Sequence, residues 1–424
     1  MTPGKSTKKF DVAVIGLGFV GLPLVVEACR SGLRVLGLEV DSSKVQHLLR
    51  GESYIADIAD AEITEALEAG FHATVDSSEL AEAEAHVICV PTPLKDQVPD
   101  LSSLIEAGTA VGDHLSGDEL VILQSTSYPG TTQDELQPLL ERRSGLRAGE
   151  DFYLAYAPER IDPGNTSWGL RNTPKLVAGI DPASTNRAVE LLGKVCEQVV
   201  VVSNPREAEM AKLLENTYRH VNIALMNEMA IFCRELGIDI WEVIRAASTK
   251  PFGFQAFYPG PGVGGHCIPV DPNYLSFRVG QLGYPFRFVE LAKEINAGMP
   301  AYVVRRATEL LNERGKAVNG ARVVLFGVAY KPDVADIRET PAEPVARKLL
   351  ALGARLGFVD PHVEKFLVDG VPIERLDPAD DPIDGDLGIL LTPHRAFEWT
   401  KLAAAVDILL DTRGLVPADL CERL

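Results

Sequence analysis

The sequence lacks the usual marks of secreted, metal-binding and membrane proteins. Its six cysteines are scattered without a C-x-x-C pair or a metal-ligand spacing, which favours reduced thiols over disulfides or zinc. No run of about 18 apolar residues could span a bilayer, and the polar start has no apolar signal-peptide region. We therefore expect a cytoplasmic protein with no membrane association and no metal.

Basic clusters are missing as well. The net charge is −19 over 424 residues, and no dense run of Lys and Arg compensates for it. An acidic surface repels nucleic acids and anionic membranes, so we expect neither as a partner. The 46% hydrophobic and 24% charged residues are typical of a globular protein, and the length predicts two or three domains.

The N-terminal region carries a dinucleotide-binding pattern. An apolar run ends in G-L-G-F-V-G at 16–21, and a helical stretch and a second apolar run follow. In this pattern Gly16 makes the tight turn and Gly18 lets the backbone approach a pyrophosphate. Gly21 lets the helix pack on the strand, and the helix N-terminus favours the phosphate charge.

An acidic residue, Glu39, ends the second apolar run, eighteen residues after Gly21. There it can accept hydrogen bonds from the adenosine ribose hydroxyls. A carboxylate would repel a 2′-phosphate, so the sequence predicts NAD rather than NADP.

Further strand-like runs follow at αβ spacing, and several end in polar residues. Thr92, Thr126 and Glu159 come just after such runs. Since the carboxyl ends of parallel strands line the ligand crevice, these three side chains are candidates for binding or catalysis. Each could equally be a cap or turn residue.

A helical region follows. Residues 208–236 contain no Gly or Pro between Ala208 and Leu236, and Lys212, Asn216 and Arg219 fall on one face of the predicted helix. A second helix is predicted over 240–247, and a third over 286–311 with an interruption near Gly298 and Pro300.

Residues 260–271 read G-P-G-V-G-G-H-C-I-P-V-D, with four glycines and two prolines. This composition predicts a loop that permits close backbone approach. Cys267 lies within it, between His266 and Asp271. The residue pattern leaves two readings open, a reactive thiolate and an inert buried thiol.

The last third returns to an αβ pattern, with strands predicted at 322–327, 355–359, 387–391 and 407–410. Its first turn lacks G-x-G-x-x-G, so a second dinucleotide is not expected there. Lys331, Asp333 and Arg338 cluster in this turn, where a phosphate-bearing substrate would find cations. Solvated loop charges are the alternative.

Seven motifs in order resemble the UDP-glucose/GDP-mannose dehydrogenase family, the nucleotide-sugar 6-dehydrogenases, over almost the whole chain. The motifs are G-L-G-F-V-G-L-P at 16–23, V-P-T-P at 90–93, S-T at 125–126, A-P-E-R at 157–160, E-M-A-K-L-L-E-N at 209–216, G-G-H-C-I-P-V-D at 264–271 and G-V-A-Y-K-P-D at 327–333.

The resemblance implies an α/β fold of two doubly wound Rossmann-like domains joined by a helical middle domain. We place the NAD-binding domain at 1–204, the helical dimerisation domain at 205–311 and the nucleotide-sugar-binding domain at 312–424. It also implies a homodimer and a role in polysaccharide biosynthesis.

In this family the C6 alcohol of a nucleotide sugar is oxidised twice, by two NAD. The aldehyde is trapped on a cysteine as a thiohemiacetal, and the resulting thioester is hydrolysed. The resemblance makes Cys267 the nucleophile, Lys212 and Asn216 the oxyanion stabilisers, and Asp271 the group that orients water or Lys212. Thr126 and Glu159 would assist proton transfer and water activation.

The remaining implied contacts concern the two ligands. The cofactor-binding residues would be Gly16, Gly18, Phe19, Val20, Gly21, Glu39, Lys44, Pro91, Thr92 and Thr126. The substrate-binding residues would be Glu159, Arg160, Lys212, Asn216, Arg219, Tyr258, Gly260, Gly264, His266, Lys331 and Arg338.

His266 and the V-N-I-A-L-M-N-E segment at 221–228 resemble the branch that oxidises UDP-N-acetylhexosamines. In the glucose branch a basic residue usually stands at the position of Asn222. A UDP- or dTDP-glucose dehydrogenase is the alternative.

Two-electron alcohol dehydrogenases of related architecture need no cysteine, so Cys267 argues against that class. A nucleotide-sugar epimerase of the short-chain type would need a Tyr-x-x-x-Lys pair after the fourth or fifth strand, and none is found there. A silent binding subunit would be expected to have lost one of its catalytic residues, but the predicted residues Lys212, Asn216, Cys267 and Asp271 are all present.

Overall fold

Two units of the chain each fold around a parallel sheet of their own. The computed structural model describes residues 8–55, 58–95, 98–162, 165, 167–265, 267–377 and 383–424, and of Cys267 only the backbone. Unit 1 comprises Met1–Glu215 and Asn273–Tyr284, and unit 2 comprises Asn216–Pro272 and Pro285–Leu424. The predicted division into three domains remains an interpretation of the sequence.

Unit 1 alternates strands and helices. Its strands are β1 (Val12–Ile15), β2 (Val35–Leu38), β3 (His72–Thr74), β4 (Ala85–Ile88), β5 (Leu94–Lys95), β6 (Val98–Pro99), β7 (Leu120–Leu123), β8 (Tyr153–Tyr156), β9 (Lys175–Gly179) and β10 (Val199–Val201). Its helices are α1 (Gly21–Arg30), α2 (Ser42–Leu49), α3 (Asp60–Glu68), α4 (Ser102–His114), α5 (Gln137–Ser144) and α6 (Pro182–Val195), with a 3₁₀ turn at Ser77–Glu82 and a π-helical turn at Thr131–Leu136.

The large sheet of unit 1 has the order β10-β9-β8-β7-β4-β1-β2-β3. The residues of β1, β2, β4 and β7 are all buried, as expected for strands covered by helices on both faces. The pairs from β3 to β8 are parallel, whereas β8 and β9 run antiparallel. The predicted doubly wound architecture is therefore confirmed, with one reversal of direction at β9.

Unit 2 contains the remaining strands and most of the long helices. Its strands are β11 (Arg322–Phe326), β12 (Arg355–Val359), β13 (Leu367–Val368), β14 (Val371–Pro372), β15 (Glu374–Arg375), β16 (Leu387–Leu390), β17 (Leu409–Asp411) and β18 (Glu422–Arg423). The remaining helices of the chain are α7 (Pro205–Glu235), α8 (Ile240–Ser248), α9 (Cys267–Gln281), α10 (Arg287–Glu313), α11 (Ala342–Ala351) and α12 (Trp399–Ala404). The division between the units falls within α7 and within α9.

The larger sheet of unit 2 has the order β15-β12-β11-β16-β17-β18, and all its neighbours are parallel. Its first strand, β11, lies between β12 and β16, just as β1 lies between β2 and β4. The two sheets therefore place the loops after their first strands in equivalent positions, at the carboxyl edge where α/β proteins bind ligands.

Helix α7 confirms the predicted long helix, and its start is held to the rest of unit 1 by Glu209. This fully buried carboxylate accepts hydrogen bonds from the backbone N–H groups of Gly130 and Thr132, at 2.5 and 2.9 Å. Burial raises its pKa, although these donors act in the opposite direction. The bonds fix the helical turn that precedes Lys212.

Helix α10 corrects the predicted interruption, because it runs without a break from Arg287 to Glu313. Pro300 lacks an N–H and removes one backbone hydrogen bond inside the helix. However, Met299 and Val303 are buried in the core of unit 2, and Pro300 is buried next to Met299. Tertiary packing of this face stabilises the helix in spite of the missing bond.

The predicted loop over 260–271 is wrong from Cys267 onward, where α9 begins. Pro269 is the third residue of this helix. The first four N–H groups of a helix have no partner inside the helix, so proline is tolerated there. The unpaired N–H groups at the start of a helix favour a negative charge.

None of the helices in the described ranges is long and apolar enough to cross a membrane.

Candidate functional site

The turn after β1 has the backbone geometry that the glycine pattern requires. Gly16 has a φ of +90°, and a Cβ there would lie 2.9 Å from the carbonyl oxygen of Cys89. A Cβ on Gly21 would come within 1.9 Å of the carbonyl oxygen of Gly16, whereas one on Gly18 would meet no atom within 4 Å. Two glycines thus serve internal packing, and the third leaves the backbone open on the side where a pyrophosphate could approach.

Helix α1 begins at Gly21 with no capping side chain and no acidic residue in its first turn. Its first N–H groups have no partner four residues earlier in the same helix. An uncapped helix N-terminus after an open glycine turn fits a bound phosphate group.

Glu39 holds the end of β2 to the glycine turn. Its carboxylate accepts hydrogen bonds from the N–H groups of Leu17 and Val40, at 3.1 and 3.0 Å. The side chain is only 8% exposed, and the Lys44 ammonium lies 3.8 Å from Oε2. A carboxylate at this strand end fits a ribose diol better than a 2′-phosphate.

The segments that follow β4 and β7 are joined by a hydrogen bond. Thr92, after β4, donates its hydroxyl to the carbonyl oxygen of Thr126, after β7, at 2.7 Å. Thr92 is buried and Thr126 half-buried, while Phe19, Val20 and Pro91 are partly or fully exposed. These predicted cofactor residues all belong to the carboxyl edge of the unit 1 sheet.

Glu159 lies in a buried polar cluster after β8. Its carboxylate accepts hydrogen bonds from the Lys175 ammonium at 2.9 Å and the Gln124 amide at 3.0 Å. The N–H groups of Arg160 and Ile161 also donate to it, at 2.7 and 2.9 Å. Sequence reasoning missed Lys175, since no local pattern links it to a residue sixteen positions earlier.

Burial alone would raise the pKa of Glu159. The Lys175 ammonium and the two backbone donors outweigh burial and hold the pKa below its usual range. The carboxylate therefore stays ionised, and Lys175 compensates a charge that burial would otherwise disfavour.

Within unit 1, Lys212 is buried in α7, at 6% exposure, and its ammonium makes no hydrogen bond or ion pair to the side chain or backbone of another described residue. A buried amine without a counterion is costly, which makes this position a candidate for ligand binding. Arg160, by contrast, pairs with Glu215 at 2.7 Å.

In unit 2, Asn216 is fully buried and donates its amide to the Asp271 carboxylate at 2.5 Å. Arg219 in turn donates to the Asn216 carbonyl oxygen. Asp271 is 2% exposed and lies in the first turns of α9, four residues after Cys267. The pair fixes the start of this helix against α7, a contact that the sequence did not predict.

The glycines before Cys267 pack closely against other residues of unit 2. A Cβ on Gly265 would lie 2.8 Å from the Tyr330 ring, and one on Gly264 would lie 3.1 Å from the Tyr330 carbonyl oxygen. A Cβ on Gly260 would come 2.6 Å from the guanidinium of Arg413, a residue that the sequence interpretation missed. No sequence signal identifies Arg413, because it follows an ordinary strand.

The other predicted residues of this segment are only partly placed. Tyr258 is exposed and stacks on Trp241, with ring centroids 6.2 Å apart. His266 lies outside the described residues, and so does the side chain of Cys267.

The predicted cationic cluster of the turn after β11 is paired. Arg338 forms an ion pair with Asp336 at 2.6 Å. Asp333, which adopts a φ of +61°, accepts from Arg395 at 2.5 Å. Lys331 is half-buried in the same turn.

Asp333, His362 and His394 bring possible metal-ligand atoms within 4.8 Å of one another. Both ring nitrogens of His394 are already hydrogen-bonded, to the N–H of Asp333 and to Asp360, each at 3.0 Å. A metal would have to displace these bonds, so the geometry favours a hydrogen-bonded cluster.

Comparisons with known proteins agree with this layout. Three models of the UDP-glucose/GDP-mannose dehydrogenase family match consecutive parts of the chain. They are described as the NAD binding domain over residues 10–199, the central domain over 206–298 and the UDP binding domain over 324–418.

Relatives match nearly the whole chain. A UDP-N-acetyl-D-glucosamine 6-dehydrogenase from Pseudomonas aeruginosa is 35% identical, over 97% of this chain and 98% of its own. A UDP-N-acetyl-D-mannosamine dehydrogenase from Yersinia pestis is 36% identical, over 95% and 98%. A solved UDP-D-ManNAc dehydrogenase from Pyrococcus horikoshii superimposes with a TM-score of 0.87 at 31% identity, over 96% of each chain.

The Glu159 and Lys175 pair predicts a pH-dependent stability. The lowered pKa of Glu159 stabilises the fold above its unfolded-state pKa of about 4.3 and loses this effect as the pH falls. In Lys175→Met the ammonium is lost and burial is opposed only by the Gln124 amide and the two backbone donors, so we expect the pKa to rise and the carboxylate to become destabilising as the pH rises. We expect the variant to lose about 3–5 kcal/mol at pH 7 and much less near pH 4.

Thermal unfolding midpoints measured between pH 4 and 8 test this prediction. Lys194→Met, which removes an exposed lysine of α6, is the control and should follow the wild type. A constant difference between Lys175→Met and the wild type over the whole range would contradict the assignment.

Proposed function

Because the chain belongs to the UDP-glucose/GDP-mannose dehydrogenase family and is an NAD-dependent nucleotide-sugar dehydrogenase, we propose that it oxidises the C6 hydroxyl of a UDP-N-acetylhexosamine to the carboxylate. The observation that carries the mechanism is the buried hydrogen bond between Asn216 and Asp271. It fixes the helix start that bears Cys267, the predicted nucleophile.

The reaction needs two oxidations and one hydrolysis. Two NAD molecules, bound one after the other, would each supply an acceptor for one hydride from C6. The Cys267 thiolate adds to the aldehyde carbon, and the resulting thiohemiacetal loses the second hydride to leave a thioester. Water then adds to the thioester carbonyl, and the thiolate departs from the carboxylate product.

The buried polar residues have distinct tasks in this scheme. The Lys212 ammonium and the Asn216 amide would stabilise the negative charge that develops on the oxygen attached to C6, in both oxidations and in the hydrolysis. Asp271 orients Asn216 through the bond described above. A thiol with the ordinary pKa of about 8.5 is mostly protonated at pH 7. A nearby cation favours its thiolate form.

The residues of unit 1 would act in proton transfer. Thr126 follows β7 and Glu159 follows β8, at the carboxyl edge of the sheet. The carboxylate of Glu159 already accepts hydrogen bonds from four described donors. We therefore propose that it acts indirectly, by holding the neighbouring groups that position water. Thr126 makes no side-chain hydrogen bond to another described residue and is the better candidate for direct contact.

The substrate branch rests on the relatives and on one residue of α7. Two relatives that match 95% or more of the chain bear the names of a UDP-N-acetyl-D-glucosamine 6-dehydrogenase and a UDP-N-acetyl-D-mannosamine dehydrogenase. Asn222, where the glucose branch usually has a basic residue, donates its amide to the Tyr218 carbonyl oxygen of its own helix. This position therefore supplies no cation, which favours the N-acetylhexosamine.

We also propose a cytoplasmic homodimer. Tyr218, Leu225 and Phe232 lie at seven-residue intervals on α7 and are 46%, 49% and 46% exposed. Seven residues make two helical turns, so these side chains form one apolar stripe. A second copy of the same helix presents the same stripe, which suits a self-complementary interface.

The central prediction concerns Cys267→Ser. An alkoxide leaves less readily than a thiolate, so an ester on the introduced serine should hydrolyse far more slowly than the thioester. We expect a burst of NADH limited to one round of oxidation per active site and a protein mass raised by the esterified sugar nucleotide. Steady turnover should fall by a factor of at least about 100.

Stopped-flow absorbance and intact-protein mass spectrometry measure the burst and the adduct. Cys267→Ala should form no adduct. Cys421→Ser, which changes a partly buried cysteine of unit 2, should turn over normally. Near wild-type turnover of Cys267→Ser without an adduct would refute the covalent route.

The second prediction concerns the substrate. Initial rates of NADH formation with UDP-N-acetylglucosamine, UDP-N-acetylmannosamine, UDP-glucose and dTDP-glucose should give the highest kcat/KM for one of the N-acetylhexosamines. Two NADH per sugar are expected, whereas one would indicate a two-electron dehydrogenase. A clear preference for UDP-glucose would overturn the branch assignment and leave the reaction class in place.

The third prediction concerns assembly. The wild type should have the mass of a dimer at micromolar concentration, and Leu225→Glu should shift it to a monomer because a buried unpaired charge is costly. Light scattering after size-exclusion chromatography measures both. Leu352→Glu, at an exposed leucine after α11, should remain dimeric. A wild-type monomer would contradict the proposed interface.

A further inference from the structure

The loop of residues 327–333, here called the β11 loop, is held in place by side chains from neighbouring strands. Gly327 has a φ of +78°, and a Cβ there would lie 2.0 Å from the Thr392 carbonyl oxygen. The Thr392 hydroxyl donates to the carbonyl oxygen of Ala329 at 2.7 Å. The loop therefore cannot move away from β16 without losing these contacts.

Asp360, at the end of β12, is the main anchor. Its Oδ2 accepts hydrogen bonds from the N–H groups of Val328 and Ala329, at 2.8 and 3.1 Å. Its Oδ1 accepts from the N–H groups of His362 and Val363, at 2.9 and 3.0 Å. The side chain is fully buried, so all of these bonds form away from water, where they are strongest.

His394 connects this anchor to the far end of the loop. Its Nδ1 lies 3.0 Å from the N–H of Asp333 and must act as the acceptor there. The ring proton is therefore on Nε2, which donates to Asp360 Oδ2 at 3.0 Å. The imidazole is fully buried. The start and the end of the β11 loop are thus tied to one carboxylate.

Two residues in the middle of the loop, Tyr330 and Lys331, connect it to the proposed reaction. Tyr330 contacts Gly264 and Gly265 through its carbonyl oxygen and its ring, just before Cys267. Lys331, the predicted substrate cation, is the next residue. A displacement of the loop would therefore disturb both the substrate cation and the backbone that leads to the nucleophile.

Unit 1 has an acidic residue at the position equivalent to that of Asp360. Glu39 also ends the strand beside the first strand and accepts from the turn after it, at Leu17. Its side chain retains some exposure, so it can still receive a ligand hydroxyl. Asp360 is covered by His394 and has no exposed surface, so it can act on a ligand only through the loop.

We infer that Asp360 and His394 are positioning residues of the dehydrogenase reaction, which set the β11 loop so that Lys331 and the glycines before Cys267 are in place. The inference rests on the proposed function for the roles of Lys331 and Cys267. The contacts that support it are independent of that function. All of them lie within unit 2.

The test begins with Asp360→Asn. An amide in place of either carboxylate oxygen would face backbone N–H donors with its own N–H groups, so the five-donor arrangement cannot persist. We expect amide hydrogen exchange in a peptide spanning 327–334 to accelerate at least about tenfold. The KM for the nucleotide sugar should rise and kcat should fall, giving a loss of about 100-fold in kcat/KM, while the KM for NAD stays within about twofold.

His394 provides a graded series. His394→Leu removes both hydrogen bonds and should resemble Asp360→Asn. His394→Asn can keep an acceptor near Nδ1 for the N–H of Asp333, so it should recover part of the loss. Equal losses in the two variants would contradict the role of that bond.

His362→Gln separates positioning from metal binding. His362 is partly exposed and lies 3.9 Å from Asp333, and it would be needed for a metal but not for the described hydrogen bonds. We expect wild-type kinetics and no effect of zinc or EDTA on melting. A zinc-dependent rise in the unfolding temperature that His362→Gln abolishes would replace this inference with a metal site.

Failure of the inference is distinguishable from failure of the proposed function. Unchanged exchange in the β11 loop of Asp360→Asn would sink the inference even if the wild type is an active dehydrogenase. Wild-type protein that oxidises no nucleotide sugar would sink the proposed function. Faster exchange with unchanged kcat/KM would restrict Asp360 to stability and overturn the inference.

Discussion

A buried carboxylate at the end of the strand beside the first strand fixes the ligand-facing loop in both units. Glu39 and Asp360 occupy this position in unit 1 and unit 2, and each accepts from N–H groups of the loop after the first strand. Those N–H groups belong to a sharp turn and have no partner in the sheet. An unsatisfied buried N–H costs about 1–3 kcal/mol, so the turn depends on an acceptor at this point.

Each turn also depends on a glycine with positive φ. Gly16 and Gly327 have φ values of +90° and +78°. A Cβ on either would collide with a carbonyl oxygen that follows a neighbouring strand of the sheet, β4 in unit 1 and β16 in unit 2. The acid holds the turn from one side and this carbonyl group limits it on the other. The two halves of the fold therefore share one local solution, although only the first turn shows the G-x-G-x-x-G pattern.

The shared solution serves different ends because the acids differ in exposure. Glu39 keeps a small accessible surface beside Lys44, which suits direct contact with a cofactor hydroxyl. Asp360 gives its remaining capacity to His394 and is closed to solvent. His394, which follows the neighbouring strand β16, thus leaves Asp360 with a supporting role.

Sequence reasoning succeeded where the signal is local. The glycine turn, the acid after β2 and the long helix α7 follow from spacing and from the absence of Gly and Pro. It failed at α10, where core packing outweighs Pro300, and at α9, where Pro269 occupies a position that tolerates it. It also missed Lys175, His394 and Arg413, because their partners are 16 to 153 positions away in the chain and no periodicity connects them.

The glycine-rich segment before Cys267 illustrates the limit of such reasoning. Its composition predicts that the backbone closely approaches another group, and the sequence interpretation takes this group to be the ligand. In the structure Gly260, Gly264 and Gly265 are already approached by Arg413 and Tyr330 of the same unit. Glycine is required there by the fold itself, so glycine content identifies a close contact without identifying what makes it. Only the positions with open space, such as Gly18, leave the backbone free for a ligand.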